Sequence, residues 1–156
     1  MNKYLNKYYW IRKFFLNKFL SKLITKKSLN KIVFNSIYKS NYWNKSKDFN
    51  PTNQSLSGPG SIPNSIQTSN LILELRKFFN EYKIKKILDA PCGDCAWIQE
   101  IFNTDIEYTG IDIVQDLIND NLNKFKVYKN VNFSCEDLTE FNNFNNYDFI
   151  LLRDFF

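Results

Sequence analysis

Lys85-Lys86-Ile87-Leu88-Asp89-Ala90-Pro91-Cys92-Gly93-Asp94-Cys95-Ala96-Trp97 is the stretch that decides the fold. An apolar run ends in an aspartate. A tight turn with a single glycine comes next, and the residues after it read as the first turn of a helix. This is how a strand passes its chain to a ligand-binding loop at the carboxyl edge of a parallel sheet. The same letters contain a Cys92-x-x-Cys95 pair, which dithiol chemistry would use quite differently.

Downstream of this loop, strand and helix signals alternate. Glu107 to Ile113 reads as a second strand, 130–135 as a third and 147–152 as a fourth. Between them, 95–103 reads as a short helix. Residues 114–127 read as a longer one with Val114, Leu117, Leu122 and Phe125 inward. Upstream, 67–82 reads as a helix with Leu71, Leu75, Phe78 and Phe79 on one face. Strands alternating with helices predict right-handed crossovers and a parallel sheet, hence an α/β fold. The tract Glu140-Phe141-Asn142-Asn143-Phe144-Asn145-Asn146 reads as a polar loop.

The remaining upstream chain divides in two. Residues 51–65 are rich in Ser, Gly and Pro, and Ser55-Leu56-Ser57-Gly58-Pro59-Gly60-Ser61 is turn-forming throughout. It reads as a linker or as a loop closing over a site, and composition favours the linker. Residues 1–50 carry 12 Lys or Arg against one acid, a net of +11, whereas 51–156 carry 9 against 15, a net of −6. Tyr4, Tyr8, Ile11, Phe15, Phe19 and Leu23 fall at steps of three or four, so 3–26 is expected to be a basic amphipathic helix. Its lysines suit an anionic surface, membrane or nucleic acid, or simply water around a helix packed by its aromatic stripe. The expected division is a basic helical extension over 1–50, a flexible loop over 51–65 and a folded domain over 66–156.

Composition excludes several chemistries. There is no histidine, which removes His-dependent triads and His-rich metal sites. Three cysteines, with only Cys92 and Cys95 close together, make neither a zinc site nor a disulfide scaffold. No apolar run approaches the roughly 20 residues of a membrane span, and no secretory leader is visible. The expectation is therefore a cytoplasmic protein, membrane-peripheral if the basic arm binds lipid, with no metal.

Three acids fall where strands end: Asp89, Asp112 and Asp137. In an open parallel sheet these positions line one crevice. The 23-residue spacing from Asp89 to Asp112 is that at which nucleotide-binding sheets place a carboxylate on ribose. Two hydroxyl donors match its two oxygens, a bidentate fit.

On these residues the chain resembles the class I S-adenosylmethionine-dependent methyltransferases, over 85–154. Leu88 to Cys95 stands in place of their Asp-x-Gly-x-Gly-x-Gly loop. Gly110-Ile111-Asp112 is similar to the end of their second strand. Glu136-Asp137-Leu138 resembles their adenine-contacting motif, and Tyr147 to Asp154 resembles their fourth strand and the residues at its end. Ser55 to Ser61, with Thr68 and Trp97, also resembles a bacterial branch pairing Ser-Gly-Pro-Gly-Ser with Asp-Ala-Pro-Cys-Gly-Asp. The resemblance implies a Rossmann-like doubly wound parallel sheet, partial at about four strands, with S-adenosyl-L-methionine as cofactor. Asp89, Ala90, Pro91, Gly93 and Asp94 would hold its methionine part, Asp112 and Ile113 its ribose, Asp137 and Leu138 its adenine. Arg153 and Asp154 would face an unidentified methyl acceptor, Asp154 as a candidate general base. Pro91 and Cys95 replace the outer glycines of the family loop, and proline removes one amide donor. The family sheet has seven strands, so the chain reads as truncated after the fourth, with an edge and an apolar face expected bare.

Two other readings stand beside this one. A thioredoxin-like oxidoreductase would use Cys92 as nucleophile at a helix N-terminus. That fold requires a proline downstream of the motif, and Pro51, Pro59, Pro63 and Pro91 all fail that test. A nucleic-acid or membrane-surface module would use the lysines and aromatics of the basic arm, with salt-sensitive binding.

Overall fold

The computed structural model describes residues 26–42, 55–102 and 105–153. The amphipathic helix expected over 3–26 therefore lies, but for its last residue, outside the described residues, as does Asp154. The chain divides into two units within helix α1 (Lys26–Lys39), between Val33 and Phe34. The second unit holds the sheet and the strand-end acids.

Four strands form one fully parallel sheet: β1 (Lys86–Asp89), β2 (Glu107–Asp112), β3 (Val131–Cys135) and β4 (Phe149–Leu151), in the order β3-β2-β1-β4. The chain winds outward from β1 to β3, then returns to the far side of β1 as β4. That reversal between β1 and β4 is the switch point of a doubly wound α/β sheet, the place at whose carboxyl edge sheets of this kind bind ligands. The observed class is therefore the expected one, α/β with a partial Rossmann-like sheet.

Register follows from side-chain alternation. Ile87 enters the larger core with Phe79, Phe102, Tyr108 and Phe125, while Leu88, Ala90 and Ile111 face the other side. Leu88 pairs with Thr109 and Ile150, and Asp89 with Gly110 and Leu151. A slip of one residue would exchange the two faces. Gly110 is needed for close approach, since a Cβ there would lie 2.8 Å from the Phe133 ring. At the opposite edge, Asp148 accepts the N–H groups of Lys85 and Lys86 at 2.8 and 2.9 Å, fixing the start of β4 to that of β1.

Helix α2 (Ile66–Glu81) starts where Ser65 accepts the Thr68 N–H. Its buried stripe is Thr68, Ile72, Leu75 and Phe79, each apolar member contributing about 1.5–3 kcal/mol by burial. Phe78, expected inward, is 39% exposed, stacked on Tyr82 and tilted against Phe149. Helix α3 (Gln115–Lys124) carries Asp116 in its first turn and Lys124 in its last, both favourable to the helix dipole. Its inward residues are Leu117, Ile118 and Asn121, while Leu122 is exposed. The helical period carries Val114 to 118, 121 and 125, not to 122. The short helix expected over 95–103 is a 3-10 turn, Ile98–Ile101.

The crossover from β3 to β4 contains a 3-10 turn, Phe144–Asn146, rather than an α-helix. Leu138, Phe141, Phe144 and Tyr147 pack on Leu88, Ala90 and Ile111. The tract that reads as a polar loop thus also supplies aromatic cover for the second face of the sheet. Cover thins at the outer strand, where Ile150 and Leu152 remain 36% and 43% exposed.

Candidate functional site

The loop after β1 is stitched into the carboxyl edge by its backbone. Ala90 N–H donates to the Leu151 carbonyl at 3.0 Å, and Cys92 N–H to the Ile111 carbonyl at 2.9 Å. Between these anchors the Ala90–Pro91 peptide is cis. Gly93 then turns with φ +57°, a conformation that favours glycine. Its N–H donates to Asp112 Oδ2 at 3.1 Å, and its carbonyl accepts Asn121 Nδ2 at 2.7 Å. The loop is held from below by α3 and from the side by β2.

The segment from Ser55 to Ser61 closes over this loop. Ser55 Oγ donates to Asp94 Oδ1 at 2.9 Å, Leu56 N–H to Oδ2 at 2.6 Å, and Ser57 Oγ to Oδ1 at 3.2 Å. In return the Asp94 N–H donates to Ser57 Oγ at 3.0 Å. One carboxylate thus receives three donors from a single tripeptide, with charge-assisted strength. Ser55 and Ser61 are buried. A stretch whose composition favours a linker is a strap here, because Asp94 satisfies the polar groups that water would otherwise take. Further along the strap, the Arg153 guanidinium donates to the Gly60 carbonyl and lies over the Trp97 ring, 4.6 Å from its centroid. Tyr38, from the last turn of α1, places its hydroxyl 3.4 Å from Ser57 Oγ. Burial first, then the carboxylate of Asp112, push this phenol far above its usual range.

The three strand-end acids lie along the same carboxyl edge. Asp89, Asp112 and Asp137 are 3%, 4% and 9% exposed. Asp89 Oδ2 accepts the Tyr108 hydroxyl at 2.5 Å. Its carboxyl is pushed up to about 7, chiefly by burial, with Asp112 adding to the rise and Tyr108 and Arg153 opposing it. Asp112 is held by the Gly93 and Val114 N–H groups at 3.1 and 3.0 Å. Burial raises its pKa while those amides lower it. Two backbone donors, one on each oxygen, leave about two of the roughly four acceptor sites of a carboxylate. Each oxygen of Asp112 thus keeps about one acceptor site for a further donor. Asp137 Oδ1 accepts the Thr139 N–H and hydroxyl at 3.0 and 2.7 Å. Its Oδ2 is buried and has no hydrogen-bond partner among the described residues. A buried carboxylate oxygen without a donor costs free energy unless a ligand supplies one.

Of the other expected residues, Ala90 is buried, and Pro91, Ile113 and Leu138 are half-buried along the same edge. Arg153 engages the strap and Trp97. Ser55, Ser57, Tyr38, Tyr108 and Asn121 are participants that the sequence reading does not nominate. Asn121 has a visible signal, a polar residue on the inward stripe of its helix. The strap serines have one only in the company of Asp94.

The cysteine pair lies under the loop. Cys92 and Cys95 are 6% and 0% exposed. Asn121 Nδ2 approaches their sulfurs at 3.9 and 3.7 Å, and Cys95 Sγ lies 3.4 Å from the Tyr108 hydroxyl. Its hydrogen bond with Cys95, then burial, raise the Cys92 thiol well above its usual range. Cys95 itself turns with φ +53° and opens no α-helix. A redox nucleophile needs the opposite, an exposed thiol lowered by a helix N-terminus. Among the described residues no group of three or more acids and cysteines is arranged to hold a metal ion.

No protein-family model matches this chain, and no curated protein matches its sequence. Among solved structures, the chain is similar to coclaurine N-methyltransferase bound to N-methylheliamine and SAH, at 17% identity and a TM-score of 0.42. The match covers 76% of this chain and 34% of that protein, so this chain spans about a third of its length.

Proposed function

We propose that this chain binds S-adenosyl-L-methionine at the carboxyl edge of its sheet and belongs to an enzyme that transfers the methyl group to a small or macromolecular acceptor. The observation that carries the reading is the buried, donor-less Asp137 Oδ2, at the end of a strand two places from the switch point. An exocyclic amino group is the kind of donor that would satisfy it. Asp112, with about one acceptor site left on each oxygen, would take the ribose hydroxyls. Asp89 and the Gly93–Asp94 turn would take the amino-acid end. The strap and the loop exclude water from that side of the crevice.

When bound, the cofactor supplies a methyl group already activated on a sulfonium sulfur, so the reaction needs little acid–base machinery. The residues here bind and orient. Asp94 fixes the strap, Asn121 fixes the turn, and Arg153 ties the end of β4 to the strap. Asp154 is retained as a candidate base for the acceptor, and the acceptor itself is unassigned. The basic arm over 1–50 is proposed to meet an anionic surface. A dithiol oxidoreductase is disfavoured by the buried, raised Cys92 thiol.

The test is calorimetric titration with S-adenosylhomocysteine after circular dichroism shows a folded chain. Saturable binding is expected. Asp137→Asn presents an amide donor where an acceptor is required and should weaken binding by about tenfold to a hundredfold, the worth of about 1.5–3 kcal/mol. Asp112→Ala should remove most of the affinity. Unchanged binding in both variants would sink the assignment.

A further inference from the structure

We propose that Asp89 and Tyr108 form a proton-exchanging pair that couples uptake of a ligand's primary ammonium group to release of one proton, with Tyr108 as the positioning residue. The inference rests on the proposed cofactor reading only in taking that ammonium to be the amino group of the cofactor.

The geometry begins with a carboxyl group that is 3% exposed at the end of β1. Its Oδ2 accepts a hydroxyl, not an ammonium or guanidinium. The donor, Tyr108, is itself 1% exposed, its ring fixed against Phe102 at 4.6 Å and Phe133 at 6.1 Å between centroids. A hydroxyl so held cannot follow Asp89 if the carboxyl turns, so it sets the direction in which the second oxygen faces.

Among the described residues the groups around Asp89 are few. From β2 come Tyr108 and the carboxylate of Asp112. From the loop come the thiols of Cys92 and Cys95, the first tied electrostatically to Asp89 and the second set against the Tyr108 hydroxyl. After β4 comes Arg153, a cation acting on it, whose guanidinium already serves the Gly60 carbonyl and the Trp97 ring. A buried carboxylate in such company is stabilised by protonation or by a new cation. Near neutral pH the two states of the acid are therefore close in free energy.

The exchange balances simply. Asp89–COOH and a ligand ammonium R–NH₃⁺ give the ion pair Asp89–COO⁻···⁺H₃N–R and one proton, which passes to the buffer. Affinity should then rise about tenfold per pH unit from pH 5 to pH 7 and level off above it. In that window α-amino groups, titrating near 7.7–8.0, stay charged. Replacing the tyrosine by phenylalanine removes the bond that favours the ionised acid, so the break in the profile should move to higher pH.

The experiment titrates the whole chain with S-adenosylhomocysteine at pH 5.5, 6.0, 6.5 and 7.0, in two buffers of different ionisation enthalpy. Release approaching one proton per ligand at pH 6, with affinity rising toward pH 7, is the expected result. 5′-Methylthioadenosine, which keeps the nucleoside and lacks the ammonium, should bind with no proton release. Tyr108→Phe should raise the release at pH 7.0 from about half a proton toward one per ligand, and an unchanged release in a folded variant would overturn its positioning role. Should that variant not fold, the two-buffer measurement on the unaltered chain decides the coupling. Binding of S-adenosylhomocysteine with pH-independent affinity and equal heats in both buffers would overturn the coupling and leave the cofactor reading intact. No binding by a folded chain at any pH would overturn both.

Discussion

Gly93→Ala tests whether the strap and the loop are one mechanical unit. The glycine turns with φ +57°, and an added Cβ would lie 2.1 Å from Ser57 Oγ and 3.1 Å from Ser57 Cβ. Two costs are expected. The left-handed conformation charges an alanine about 1–2 kcal/mol. Displacing Ser57 breaks its bond from the Asp94 N–H at 3.0 Å and its bond to the carboxylate at 3.2 Å. These contribute about 0.5–1.5 kcal/mol and about 1.5–3 kcal/mol respectively. Together they place Gly93→Ala about 3–6.5 kcal/mol below the parent chain. Ser57→Gly forfeits the same two bonds and removes the side chain that the new Cβ would strike. In that background Gly93→Ala should cost only the conformational part, about 1–2 kcal/mol. Urea unfolding of the four chains, followed by circular dichroism and tryptophan fluorescence, supplies the cycle. Trp97, buried beside the strap and beneath Arg153, is a local reporter. A coupling of about 2–4.5 kcal/mol is expected. Additivity within about 0.5 kcal/mol would show that Ser57 does not bear on Gly93, and the strap argument would fall.

Asp94 also accepts the Ala96 N–H at 3.2 Å, so Asp94→Asn converts an acceptor for four donors into a group with one acceptor oxygen, and should cost about 2–3 kcal/mol. Amide exchange at Leu56 should accelerate with it, whereas unchanged protection would remove Asp94 as the anchor. The folded-state value of about 7 for Asp89 lies above the roughly 3.9 of an unfolded aspartate. The stability this group contributes is therefore fully present below about pH 4 and lost as pH rises through about 7. Asp89→Asn should gain on the parent chain over that interval by an amount on the order of 4 kcal/mol. A gap between the two that stays constant with pH would contradict the burial argument. Cys135 is half-buried and Cys92 and Cys95 are buried, so iodoacetamide should modify Cys135 first in the native chain. Mass mapping that finds Cys92 modified first would revive the dithiol reading.

The sheet is legible in the sequence because its signals are local. Ile87 and Leu88 are both apolar, as a strand covered on two faces requires, and Asp89 closes that apolar run directly. The helix faces are less legible. Leu122 and Phe78 are apolar and read as inward, but the period favours Asn121 and Ile72, whose burial depends on what they meet. Asn121 is buried because it has the Gly93 carbonyl to bond, a partner 28 residues away. The strap is the clearest case of a feature invisible to composition. Ser, Gly and Pro describe a flexible segment until a carboxylate at position 94 offers its serines and its backbone a fixed geometry. The cysteine pair misleads in the opposite sense, since its spacing is that of a redox motif while its burial is that of two small core residues.

The strap also has a consequence for how the molecule assembles. Its contacts close long stretches of chain, 37 residues from Ser57 to Asp94 and 93 from Gly60 to Arg153. Each contact returns its free energy only once the intervening chain has folded back on itself, because loop-closure entropy is spent before the bond forms. As the chain emerges from the ribosome, Ser57 is made well before Asp94 and long before Arg153. The segment must therefore wait in contact with water until the sheet exists. Its serines and glycines suit that interval, since they expose little apolar surface while unpartnered. The same Ser, Gly and Pro composition that favours a linker thus suits a segment that remains in water until the end of β4 arrives to fasten it.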